Sequence, residues 1–123
     1  MAGRIRPLFT ENFAVNLDSI RLFLEPEGQA AFRQLLGRLF DDIVPTLCRF
    51  PQSGRAVPAR AVRSLEAQVS ANRLNAALRK GDDLREFVVD DYVILYLVRR
   101  NRLYFLAIKH HRQLSFDLRR FWP

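Results

Sequence analysis

"YVILYLVRRNRLYFLAIKHHRQ", residues 92–113, is the stretch whose reading decides the fold. Two apolar runs, Tyr92 to Val98 and Leu103 to His110, flank the basic turn Arg99 to Arg102. Runs of this kind, rich in β-branched and aromatic residues and separated by a turn, predict two antiparallel strands. Upstream, Val88 and Val89 lead into Asp90-Asp91, which tolerate turn geometry, so a strand from Leu84 completes a meander. Asn101 is the residue of the second turn suited to positive φ. Alternation puts Ile94, Tyr96, Phe105 and Ala107 on one face, and Leu95, Leu97, Leu106 and Ile108 on the other. An antiparallel sheet with one covered face shows a polar side, and this one shows none. Each face therefore needs a cover. Helices take one; the other calls for the tail "LSFDLRRFWP", a second copy or a partner protein, which makes the domain half of a complex.

The first half of the chain supplies the helices. A short strand through Arg4 to Thr10 contains Pro7, which fits an edge position. Thr10 is placed to cap a helix whose first turn holds Glu11. Phe13, Leu17, Ile20 and Leu24 then recur at helical spacing. Pro26 and Gly28 interrupt that pattern. A second helix follows, with Phe32, Leu35, Leu36, Leu39, Phe40 and Ile43 on its buried side. Pro45 is expected to kink or end it, because proline removes the bond to the carbonyl four residues back. The short connection between two amphipathic helices predicts an antiparallel hairpin. "PQSGRAVPAR", residues 51–60, reads as a loop. Ser64 to Lys80 reads as a third helix, with Ser64 as N-cap, a narrow stripe of Ala67, Ala71, Leu74 and Leu78, and Gly81 at its stop.

The expected class is α+β: an N-terminal strand, an antiparallel two-helix hairpin, an extra helix, then a C-terminal antiparallel strand meander. With 123 residues, this is one domain spanning 1–123. An apolar fraction of 49% is enough for a packed core. Cys48 stands alone, so no intrachain disulfide forms and a reducing, cytoplasmic setting is expected. "MAGRIRPLFTENF" shows no signal-peptide pattern, and the apolar run Tyr92 to Val98 is too short to span a membrane. Residues 1–50 are electrically neutral, while the rest carries the whole net charge of +7, mostly as Arg. Such a surface suits phosphate, nucleic acid or an acidic protein; solubility alone is the plain alternative.

The order of these elements, with "LCRFPQSGR" closing the second helix, resembles the RelE/ParE toxins of bacterial type II toxin–antitoxin modules. Leu47, Pro51, Gly54 and Arg55 match the family's Leu, Pro and Gly-Arg after the hairpin. Arg85 matches the Arg that opens a strand, and Tyr92, Ile94 and Tyr96 match its Tyr-x-Ile-x-Tyr strand. "LAIKHHRQ" matches the apolar strand ending in a basic cluster. The connector 56–83 is longer than the family's usual one, and the tail runs past the end of shorter members.

The resemblance implies a plasmid-stabilising toxin neutralised by a cognate antitoxin that wraps over it, forming a toxin–antitoxin hetero-oligomer. ParE-like members bind and poison DNA gyrase; RelE-like members cleave messenger RNA on the ribosome. Cleavage through the 2′-hydroxyl needs a base, an acid and cations. The candidates are His111, Arg112, Arg85, Lys109 and the phenols Tyr96 and Tyr92. Successive strand residues face opposite ways, so His110 and His111 cannot both serve one site on a regular strand. Val93 also stands where nuclease members commonly carry a catalytic Arg. The favoured reading is therefore a gyrase-binding toxin. Its target surface draws on Arg99, Arg100, Arg102, His110, Arg119, Arg120, Phe121 and Trp122. A third reading is an inactive protein-binding module, excluded if expression without antitoxin arrests growth. Two adjacent His and one distant Cys do not make a ligand set, so neither metal nor cofactor is expected.

Overall fold

The computed structural model describes residues 5–24, 28–57 and 77–111. Strand β1 (Arg6–Phe9) leads into α1 (Glu11–Leu24) and α2 (Gln29–Arg38). A π turn (Leu39–Ile43) joins α2 to α3 (Val44–Arg49), and strands β2 (Arg55–Ala56), β3 (Asp83–Val89), β4 (Tyr92–Arg99) and β5 (Arg102–His110) follow. The strands form one sheet in the order β1-β5-β4-β3-β2. The expected β3-β4-β5 meander is present. β1 lies on the sheet's edge and runs parallel to β5, which explains why Pro7 is tolerated.

The helices cover one face. Phe13 and Ile20 of α1, Leu35 of α2, Leu39 and Ile43 of the π turn, and Leu47 of α3 pack on Ile94, Tyr96, Leu103, Phe105 and Ile108. Thr10 caps α1 as expected, its Oγ1 accepting from the Phe13 N–H at 3.2 Å.

Several expectations need correction. Of the two outcomes expected of Pro45, kinking or ending the helix, it does not end the helical run: the wider π turn precedes it, with the Val44 N–H reaching the Leu39 carbonyl, and α3 runs on to Arg49. The extra width relieves the contact between the proline ring and the turn before it. Phe40 is 49% exposed rather than buried, because the π turn rotates it out of the stripe onto Phe9, ring centroids 5.6 Å apart. Arg100 (φ 56°), not Asn101, takes the left-handed backbone in the second hairpin turn. The 51–60 loop contains β2, which pairs with Arg85 and Glu86 of β3. The extra helix falls, apart from its last residues, outside the described chain.

A β-bulge changes which residues share a face. Register passes from Leu95↔Ala107 to Tyr96↔Phe105, leaving Leu106 as the extra residue. One inserted residue reverses all alternation beyond it, so Ala107 joins Leu95 and Leu97, and Ile108 joins Ile94. Just there β1 has ended, since Phe9↔Phe105 is its last pair. Side chains of α1 and of its cap, Thr10, replace the missing strand. Thr10 Oγ1 donates to the carbonyls of Phe105 and Leu106, and Asn12 Nδ2 donates to the Leu106 carbonyl at 2.8 Å. Asn16 Oδ1 accepts from the Ile108 N–H at 3.0 Å. All three side chains are buried. Asn16→Leu leaves the Ile108 amide without that acceptor, a cost of about 2 kcal/mol. Urea unfolding should show a midpoint shifted down at unchanged slope.

The second face is not bare. Leu95, Leu97, Leu106 and Ala107 are 0% exposed in the single chain, with Val57, Ala77 and Leu78 packed against them. Segments flanking the long connector thus reach over the middle of this face, and the tail expected to cover it lies outside the described residues. Val88, paired with Val93, is the large exposed apolar group on this face, while among the described residues Phe9 and Phe40, Leu22 and Phe23 of α1, and Phe50 lie elsewhere.

Candidate functional site

The residues matching the toxin pattern build an anchor. Helix α3 ends at Arg49, and the loop Pro51–Gly54 folds back onto β3 and β4. Tyr96, fully buried, accepts from the Gly54 N–H at 2.8 Å and donates its own hydroxyl to the Pro51 carbonyl at 2.7 Å. Burial pushes its phenol above the usual tyrosine range. Arg85 donates to Asp83 Oδ2 at 2.7 Å and to the carbonyls of Gly54 (2.7 Å) and Gln52 (3.2 Å). Arg55 pairs with Glu86 across the β2–β3 ladder. Gly54 is required by space: a Cβ there would lie 2.6 Å from the Tyr96 hydroxyl and 2.7 Å from the Glu86 carbonyl. Arg85 and Tyr96, two of the candidate catalytic groups, are thus committed to holding a loop.

The other candidates lie farther along the sheet. Tyr92 pairs with His110 and Val93 with Lys109. Tyr92 and Tyr96 sit four residues apart on β4, about 13 Å at the rise of a strand. His110 is 6% exposed, its ring against Phe23 (5.4 Å) and edge-on to Tyr92 (5.2 Å). His110, expected on a target-binding surface, thus shows little of itself on the described surface. The two histidines nevertheless approach each other, ring centroids 4.5 Å apart, because β5 stops at His110 and His111 belongs to the following turn. Strand alternation does not apply there. Arg112, Arg119, Arg120, Phe121 and Trp122 lie outside the described residues.

At the opposite end of β4 and β5 lies an open pocket of about 400 Å³, lined by Arg79, Lys80, Asp82, Arg99, Arg100, Arg102 and Tyr104 among others. Gly81 (φ 89°) makes the turn that brings Arg79 and Lys80 to its rim. Arg99, expected to meet a target, is held by bonds within the chain. Its Nε donates to Asp82 Oδ1 at 2.8 Å, and its Nη2 to Asp82 Oδ2 at 2.7 Å and to the Ala77 carbonyl at 3.2 Å. Asp82 is almost wholly buried, and its bonds to the Arg99 guanidinium hold its carboxyl below the usual range. That carboxylate is the single acid among the described lining residues and is spent internally. Arg79, Lys80, Arg100 and Arg102, all exposed, leave a cationic rim.

The depressed Asp82 pKa fixes a sign. Its ionised form is favoured in the folded chain, so this stability is complete above the unfolded carboxylate's pKa of about 4 and is lost as pH falls through the folded value. Asp82→Asn removes one arm of the pair and should cost about 3 kcal/mol at neutral pH. In acid the variant's deficit should shrink, which paired denaturation curves at pH 7 and pH 3 would show.

No helix among the described residues is long and apolar enough to cross a membrane. The family model for the ParE toxin of type II toxin–antitoxin system, parDE, matches residues 8–115. None of the curated proteins matches the chain.

Proposed function

Since the chain belongs to the ParE toxin family of type II toxin–antitoxin systems, we propose that it arrests growth by binding DNA gyrase, with the cationic rim around Arg100 and Arg102 as its contact. The observation that carries this reading is the disposition of charge. Asp82 is consumed by Arg99, so four exposed cations line one pocket at the end of the β4–β5 hairpin. Such a rim speeds encounter with an anionic surface and orients it. The ribonuclease reading fits less well: Arg85 and Tyr96 are bonded into the 51–54 anchor, about 13 Å along β4 from the histidine end.

As a family member, this toxin has an antitoxin for a partner. With the middle of the second sheet face packed from within the chain, the exposed Phe9 and Phe40 offer the antitoxin apolar surface. Pulse labelling after induction without antitoxin tests the target. Gyrase poisoning stops thymidine incorporation before methionine incorporation; loss of methionine incorporation first would favour cleavage of messenger RNA.

A further inference from the structure

The histidine end of the sheet holds a group of donors that the toxin reading does not use. Asp91, in the β3–β4 turn, and His110 and His111, at the end of β5, offer one ligand atom each within 4.8 Å of one another. Among the described residues no other three His, Cys, Asp or Glu side chains come together in this way. The geometry points to a binding site for a divalent transition metal ion of the zinc class, held by two imidazoles and a carboxylate.

The backbone fixes the arrangement before any ion arrives. The His111 N–H donates to the Asp91 carbonyl at 2.7 Å, which sets the two residues side by side. His111 Nδ1 stands 3.3 Å from the Asp91 carbonyl and 3.7 Å from Asp91 Oδ1, and it gives up the carbonyl contact if it is the nitrogen that ligates. Donors about 2.0–2.1 Å from a tetrahedral zinc ion lie about 3.3 Å apart, so closure needs side-chain movement of an ångström or so. Asp91 and His111 are exposed and can make that movement. His110 is held between Phe23 and Tyr92, which restricts its ring. A ligating imidazole uses one ring nitrogen and keeps the other for a hydrogen bond, so burial of His110 is compatible with ligation. Imidazole and carboxylate together suit zinc and its neighbours better than calcium or magnesium. Three protein ligands leave a fourth position for water or a group from a bound partner. An ion here would tie the β3–β4 turn to the end of β5.

The test uses tag-free, full-length protein stripped with EDTA, then titrated with Zn²⁺ alone and, separately, with Co²⁺. We expect one Zn²⁺ per chain by equilibrium dialysis, and visible Co²⁺ absorption bands of low coordination number. Asp91→Asn and His111→Ala should each weaken Zn²⁺ binding at least tenfold. Their melting temperatures in EDTA should stay close to the parent's, since both side chains are exposed. Failure of the parent to bind Zn²⁺, or variants that bind as tightly as the parent, would overturn the site. Neither result bears on gyrase, because dialysis reads the ion and not the toxin's target.

Discussion

Gly54→Ala should unfold the anchor that the toxin pattern encodes, at a cost of about 3–4 kcal/mol. The new Cβ would meet the Tyr96 hydroxyl at 2.6 Å and the Glu86 carbonyl at 2.7 Å, and the second of these is backbone and cannot step aside. Relief requires the 51–54 loop to lift. Lifting it breaks the Gly54–Tyr96, Tyr96–Pro51 and Arg85–Gly54 hydrogen bonds together. Each is worth about 1 kcal/mol net, and more where a buried group is left without a partner. Against a total stability of about 5–15 kcal/mol, that loss is large. Tyr96→Phe is the informative comparison. It removes two of those bonds but leaves the loop free to stay, so about 2 kcal/mol is expected. The double variant should not rescue Gly54→Ala, because Glu86 still blocks the Cβ. Equilibrium denaturation of the three variants would show this order; equal stability of Gly54→Ala and parent would refute the anchor.

Arg100→Glu with Arg102→Glu should abolish target action while leaving the fold intact. Both side chains are exposed at the pocket rim. Arg100 already sits at φ 56°, where Glu is no more strained than Arg. Each reversal replaces attraction by repulsion and should weaken an anionic contact about tenfold, close to 1.4 kcal/mol, giving roughly a hundredfold for the pair. The melting temperature should barely move. Arg99 must be left alone, since its guanidinium holds Asp82 and its loss would read as unfolding rather than lost contact. Full growth arrest by the double variant would move the contact elsewhere on the toxin.

Much of the framework was legible because it rests on local rules. Thr10 marks a helix start, Pro7 an edge strand, and the apolar runs after Leu84 a meander. Leu47, Pro51, Gly54 and Arg55 carried the family, and the structure gives them physical tasks: Leu47 packs in the core from α3, Pro51 and Gly54 bond to Tyr96, and Arg55 pairs with Glu86. What escaped the sequence depended on contacts between distant segments. A one-residue bulge at Leu106 leaves no mark in a continuous apolar run, yet it exchanges Ala107 and Ile108 between faces. Asn12 and Asn16, four residues apart and buried beside the stripe of Phe13 and Ile20, were the available sign that α1 lies on unpaired backbone. The π turn likewise depends on how Pro45 is accommodated in space, and it carries Phe40 out of its helix stripe. At the site, Arg99 looked like its neighbours Arg100 and Arg102 until Asp82 was placed against it. The two histidines looked incompatible until β5 ended between them.

The central claim is best tested with purified gyrase, relaxed plasmid and the toxin freed of its antitoxin. The account predicts inhibited supercoiling or trapped gyrase–DNA cleavage complexes, lost on reversing Arg100 and Arg102, with messenger RNA left intact on translating ribosomes. Unaffected gyrase together with new messenger RNA ends inside codons would contradict it.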